Sequence, residues 1–197
     1  GGRYMRLECR FCERSFDLPQ DKVPQAKRFR FTCPSCRKQN EVDLSEQEPQ
    51  IPDIPPENVP LGSQVVLVAV QDPEIRQGVE AYFQDQGWHM IQAGDMFEAA
   101  GKIRSNRVQW VVFEDTQQAP VLLREIGRWP GRERREVNCV LIGERTESFE
   151  AQTAFVLGVN SYLHRQPSQG LQAALDQARL VFERSLHIWR TAAKTQE

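Results

Sequence analysis

Three short runs, VVLVAV at 65–70, WVVF at 110–113 and CVLI at 139–142, contain no polar residue. A strand with one face in water alternates polar and apolar positions. Uninterrupted, β-branched runs of this length need cover on both faces, which a parallel sheet between two layers of helix supplies. WHMIQA (88–93) and SYL (161–163) read as two further strands. Between the strands the pattern turns helical. Asp72-Pro73 reads as an N-cap with proline at the first helical position, ahead of Ile75, Val79, Tyr82 and Phe83 on one face and a stop near Gly87. Met96, Phe97, Ala100 and Ile103 mark a second helix, residues 121–129 a third, and SFEAQTAFVLG a fourth ending at Gly158. A long helix then begins near Ser168. Five strands alternating with five helices predict an α/β domain with a doubly wound, five-stranded parallel sheet over residues 64–197.

The first 44 residues are of another kind. Cys9-x2-Cys12 and Cys33-x2-Cys36 stand 20 residues apart, in a chain with no secretory h-region near its start. This spacing predicts a closed tetrahedral metal site and not a disulfide frame. Four thiolates leave no open position for water, so the expected ion is a structural Zn²⁺ that supplies much of the folding energy of a small module over 5–44. Between the two parts lies SEQEPQIPDIPPENVPLGS (45–63), with five prolines, four acids and no basic residue. Such a stretch is expected to be an extended, semi-rigid spacer with no core of its own. No internal repeat is read from the sequence.

The net charge of −2 gives no global pull toward nucleic acid or membrane, although residues 1–43 carry ten Lys and Arg against six Asp and Glu. No apolar run approaches the roughly 20 residues of a membrane span, so the expected location is the cytoplasm.

MRLECRFCERSFDLPQDKVPQAKRFRFTCPSCRKQNEVDL, from Met5 to Leu44, resembles the small bacterial zinc ribbons found at the N-terminus of many regulatory proteins. The likeness rests on the Met-Arg start, the Asp-Lys-Val-Pro turn and Cys-Pro-x-Cys. That family usually has glycine after each cysteine pair, where Glu13 and Arg37 stand here. KRFRFTC (27–33) alternates cations and aromatics with period 2, which places Phe29 and Phe31 on one strand face and Arg28 and Arg30 on the other. With Lys27 these form a candidate face for phosphates or a protein partner. The simpler reading packs the phenylalanines inward and leaves the charges solvated, and it is preferred because Glu8, Glu13, Asp17 and Asp21 dilute the basic field.

The second domain, over roughly 64–181, resembles the response-regulator receivers, a flavodoxin-like fold. LVAVQDPEIR, QWVVFED and LGVNSYLHRQPSQGLQAAL carry the resemblance. It implies two acids after the first strand to hold Mg²⁺, a phosphorylated Asp after the third, a Ser or Thr after the fourth and a Lys after the fifth. Here the acid pair falls on Val70 and Gln71, with only Asp72 next to them. The acceptor position is Glu114, followed by Asp115. Gly143 stands where a hydroxyl belongs, and Arg165 stands for the lysine. Glu carries its carboxylate one methylene further out, which displaces the in-line geometry of phosphoryl transfer. The expectation is a pseudo-receiver in which an ion pair between Glu114 and Arg165 fixes one conformation.

Leu171, Leu175, Ala178, Phe182, Leu186 and Trp189 recur at helical spacing past the usual end of a receiver. Of these, Leu186 and Trp189, together with Ile188, lie past the domain's expected end and predict a partner, a second copy of the chain being one candidate. Cys139, inside a buried strand, reads as a core residue. The first functional reading is a non-enzymatic bacterial signalling adaptor, in which pseudo-receiver and zinc ribbon bind proteins. The second is a DNA-binding regulator that uses the ribbon for contact and the receiver-like domain for dimerisation. A third, a working phospho-switch on Glu114 or Asp115 with Asp72, is the weakest.

Overall fold

The structure, a computed structural model, describes residues 4–19, 28–43 and 50–194. The chain divides into two compact units, Gly1–Pro49 and Gln50–Glu197.

The first unit holds two antiparallel hairpins. Strand β1 (Tyr4–Glu8) pairs with β2 (Ser15–Pro19), and β3 (Arg28–Thr32) pairs with β4 (Gln39–Asp43). Each pair of cysteines lies in the turn of one hairpin, and the two turns are built alike. The Cys9 N–H donates to Arg14 O and that of Glu13 to Cys9 O, and 24 residues later Cys33 and Arg37 make the same bonds to Lys38 and Cys33. Glu13 and Arg37 both take the left-handed conformation, at φ 57° and 58°, that glycine would take without strain. The unit is therefore an internal repeat at the backbone level. Its sequence trace is the equal step from Cys9 to Cys33 and from Cys12 to Cys36, with Arg6 matched by Arg30, Arg14 by Lys38 and Asp17 by Glu41 at the same offset. Phe16 and Phe31 meet edge to face across the hairpins, 5.4 Å apart, beside buried Leu7.

In the second unit β5 (Val65–Ala69), β6 (His89–Gln92), β7 (Trp110–Glu114), β8 (Asn138–Gly143) and β9 (Ser161–His164) form one parallel sheet in the order β6-β5-β7-β8-β9. The apolar runs are covered on both faces. Val66, Val68, Trp110, Val112, Val140 and Leu163 pack under α1 (Pro73–Asp85) and α6 (Leu171–Lys194). Val65, Leu67, Val111, Phe113, Cys139 and Leu141 face the other way, toward α2 (Met96–Ser105), α3 (Ala119–Gly127) and α5 (Ala151–Leu157). Cys139 is fully buried, and burial pushes its thiol up to about 11. The charge-rich stretch after Trp129 forms a short helix, α4 (Gly131–Glu136).

Residues 50–63, expected as an extended spacer, group with the second unit. Ile51 and Val59 pack against the core on the α2 face. The Glu57 N–H donates to Asn106 Oδ1 at 2.8 Å, and the Glu57 carboxylate lies 2.8 Å from Lys102 Nζ. Gly101 is the seat of this strap: a Cβ there would come within 2.6 Å of Pro52 O and 2.9 Å of Ile54 Cδ1. Prolines cannot join a sheet as donors, but an extended proline-rich segment can still lay isolated Ile and Val side chains on a helix. Residues 44–49 lie outside the described residues.

Candidate functional site

The strand order reverses at β5, so the C-terminal ends of β5 and β7 form the crevice where open α/β sheets present chemistry. Asp72 and Glu114 stand there. Asp72 caps α1, its Oδ1 accepting from Glu74 N at 2.9 Å and Ile75 N at 3.0 Å. Its Oδ2 accepts from Arg165, which β9 delivers from the far side of β8. Glu114 closes β7 and is only 7% exposed. Its Oε2 accepts from the backbone N–H groups of Gln71 (2.8 Å) and Asp72 (3.2 Å), and its Oε1 lies 3.4 Å from Arg165. The outer nitrogen of Arg165 is 3.6 Å from Glu144. The Ile75 N–H and the Arg165 guanidinium hold the Asp72 carboxyl below its ordinary range, and Asp72 in turn raises Arg165.

One guanidinium thus lies among three carboxylates. The pair expected between Glu114 and Arg165 is present, although Asp72 is the nearer partner. Asp72, expected as the helix cap and as the remainder of the acid pair, does two things: Oδ1 caps α1 and Oδ2 takes Arg165.

Asp115 is closed off separately. Arg145 grips it from two nitrogens, one of them 2.6 Å from Oδ1, and the Tyr162 hydroxyl lies 3.4 Å from Oδ2. The same hydroxyl accepts from the Arg145 N–H at 2.8 Å. Burial and then the Asp115 charge raise the Tyr162 phenol. Tyr162 explains Gly143. A Cβ at 143 would collide with the Tyr162 hydroxyl and come within 2.6 Å of Asp115 Cβ. The position expected to carry a switch hydroxyl is therefore held empty of side chain by a buried tyrosine. Arg145 and Tyr162 were not assigned to this site from sequence. Their signal was the loss of the hydroxyl itself, which vacates the space they fill.

The resemblance implies Mg²⁺ in such a crevice. The donor set does not fit it: each Asp72 oxygen already accepts hydrogen bonds, Glu114 is split between two amides and Arg165, and the guanidinium supplies the positive charge among them. A cation would have to displace Arg165.

In the first unit Cys9, Cys12, Cys33 and Cys36 bring their sulfurs within 4.8 Å of one another. Cys9 and Cys36 are 3.6 Å apart, Cys12 and Cys33 3.7 Å. A tetrahedral ion with metal–sulfur bonds of about 2.3 Å spaces its ligands about 3.8 Å apart, so the four thiols fit one. Burial works to raise the Cys9 thiol, but hydrogen bonds from Phe11 N–H, Cys12 N–H and the Asn40 side chain bring it down to about 6. Asn40, a buried polar residue, was not picked out from sequence.

Arg28 and Arg30 do lie on the outer face of β3. Each stands opposite an acid, Arg28 in register with Asp43 and Arg30 with Glu41, the latter pair 3.4 Å apart. Glu41 therefore offsets the charge of Arg30 across the hairpin, which sequence alternation within one strand could not reveal. Lys27 lies outside the described residues.

The first half of the last helix packs on its own domain, and the residues expected to need a partner lie in its second half. Ala174, Leu175, Ala178 and Phe182 are buried in the unit itself, and Arg135 lies 4.9 Å over the Trp189 ring. The side chain of Ile188 lies outside the described residues. Among the described residues no helix is long and apolar enough to cross a membrane.

Solved structures similar to the chain include response regulators and a receiver domain. A putative response regulator from Chloroflexus aurantiacus aligns at TM-score 0.50 and 15% identity, covering 61% of this chain and 98% of that one. The receiver domain of a Pseudomonas aeruginosa sensor histidine kinase, solved with magnesium in its active-site cleft, aligns at 0.48 and 18%, covering 64% and 99%. The chemotaxis regulator CheY4 of Vibrio cholerae aligns at 0.48 and 16%, covering 60% and 98%. At 15% identity the first of these establishes the receiver fold and nothing beyond it. No protein-family model and no curated protein matches the sequence.

Proposed function

We propose that this chain is a non-enzymatic signalling adaptor, with a receiver-like unit that takes no phosphoryl group and a cysteine unit closed by a structural zinc ion. The observation that carries this reading is the place of Arg165. Its guanidinium pairs with Asp72 and Glu114, so the positive charge that a receiver gains from Mg²⁺ is built into the chain. Glu114 is tied to two backbone amides and Asp115 to Arg145, which leaves neither carboxylate free to attack a phosphodonor. One arrangement of the sheet edge is thereby held without a covalent signal. Four thiolates with no oxygen or nitrogen among them favour zinc in a structural role.

The work of such a protein is binding. Phe155 and Val156 on α5 are 86% and 74% exposed, and Leu180 and Val181 on α6 are 46% and 41% exposed. Apolar side chains left in water at this level suit a protein partner or a second copy of the chain. The pairing of Arg30 with Glu41 weighs against DNA as the ribbon's ligand.

The test is intact-mass measurement after incubating the full chain with acetyl phosphate and Mg²⁺. An unchanged mass is expected, and a labile adduct of one phosphoryl group would overturn the reading. Fluorescence anisotropy with duplex DNA across a salt series decides the second reading: salt-dependent binding by the full chain would move a DNA-binding regulator to first place.

A further inference from the structure

The 24-residue repeat in the first unit is symmetric in backbone and asymmetric at one buried side chain. Phe16 occupies the second residue of β2, and Asn40 occupies the equivalent place in β4, where it is 3% exposed. A primary amide in a core this small is costly unless its hydrogen bonds are made. Here both its nitrogen and its oxygen are engaged within the two cysteine turns, and one bond reaches a sulfur. The Asn40 Nδ2 donates to Cys9 Sγ at 3.4 Å and to Lys38 O at 3.1 Å, and its Oδ1 accepts from the Arg10 N–H at 2.9 Å. The orientation is fixed by these partners. Turning the amide over would set its oxygen against a sulfur and a carbonyl, and its NH2 group against another N–H.

Cys9, Arg10 and Lys38 belong to different turns, so a single side chain ties the first cysteine loop to the end of the second. The equivalent position beside the second loop, Phe16, has no group to donate. Backbone N–H bonds to sulfur occur in both turns, from Phe11 to Cys9 at 3.4 Å and from Cys36 to Cys33 at 3.5 Å. The side-chain bond from Asn40 is additional and goes to one buried sulfur.

We propose that Asn40 is the positioning residue of the four-cysteine metal site: its amide aims Cys9 Sγ at the ion and removes negative charge from that thiolate, so the two cysteine turns hold the ion unequally. The proposal rests on the metal-binding reading of the cysteines. A metal-bound thiolate that accepts an N–H bond is a poorer electron donor toward the metal, and outer partners of this kind typically change metal affinity by about 10- to 100-fold.

The test uses the full chain with Asn40→Leu, which keeps the volume, and Asn40→Asp, which keeps the acceptor for Arg10 and loses the donor to Cys9. Zinc affinity is read by chelator competition. Cobalt(II) substitution gives the second readout, the sulfur-to-metal charge-transfer band. Both variants are expected to bind zinc at least ~10-fold more weakly. Their cobalt band should move to longer wavelength, because the thiolate that lost its N–H bond donates more readily. A merely structural asparagine would change affinity without moving the band. Wild-type affinity and an unmoved band in Asn40→Asp would overturn the proposal even if Asn40→Leu failed to fold. Should the unmodified chain give no tetrahedral cobalt spectrum, the metal reading itself fails and takes the proposal with it.

Discussion

Replacing Glu114 by alanine tests the built-in charge at the sheet edge most directly. The carboxylate accepts from two backbone amides at 2.8 and 3.2 Å and lies 3.4 Å from Arg165. Charge-assisted hydrogen bonds contribute about 1.5–3 kcal/mol each, and their loss is partly offset because a mostly buried carboxylate no longer has to be desolvated. Asp72 keeps its hold on Arg165, and water reaches the vacated amides at the open edge of the crevice. The net cost should be about 2 kcal/mol. For a unit of this size that is a fall of roughly 4–8 °C in melting temperature. Glu114→Gln retains an acceptor oxygen and loses only the charge, so it should fall between the parent and the alanine variant. Urea and thermal unfolding followed by tryptophan fluorescence suit the measurement, because all four tryptophans, at 88, 110, 129 and 189, lie in the second unit. If Glu114→Ala unfolds within about 0.5 kcal/mol of the parent, the carboxylate is an ordinary edge residue and the fixed-conformation account is wrong.

The strap offers an independent test. Gly101→Ala puts a methyl group 2.6 Å from Pro52 O, which is backbone and cannot swing aside. An overpacking cost of about 1–3 kcal/mol is expected, together with faster protease cleavage within residues 50–63; unchanged cleavage would show that the strap is held elsewhere. Acid should also weaken the second unit. The Ile75 N–H and Arg165 depress Asp72, and the Arg104 guanidinium, bonded to Glu125 at 2.8 and 2.9 Å, depresses Glu125. Groups with lowered folded values contribute stability that is fully present above the ordinary carboxylate range near pH 4 and is lost as pH falls through the depressed values. The urea midpoint should therefore hold from pH 7 to about 5 and decline below about 4. A midpoint flat to pH 3 would contradict these pairings.

The sequence by itself determined the elements whose cause is local. Continuous β-branched runs cannot sit at a wet face, so three covered strands followed from VVLVAV, WVVF and CVLI, and WHMIQA and SYL completed a doubly wound sheet of five. Asp72-Pro73 is a complete start signal for a helix within two residues. The cysteine spacing likewise placed four sulfurs around one point, since a Cys-x2-Cys turn directs both at the same ion. The tertiary structure decided what depends on partners far apart in the chain. Arg165 meets Asp72 across 93 positions of sequence, Tyr162 rather than a missing selection explains Gly143, and Asn40 reaches Cys9 from the other hairpin. The proline-rich stretch shows the same division. Its composition correctly excludes a core of its own, but not the use of another element's surface, which required the bare backbone of Gly101 on α2. Local periodicity records which way a residue faces. Which side chain it meets there is set by the packing of strands and helices that share no sequence neighbourhood, and the chemistry of this sheet edge lies in those meetings.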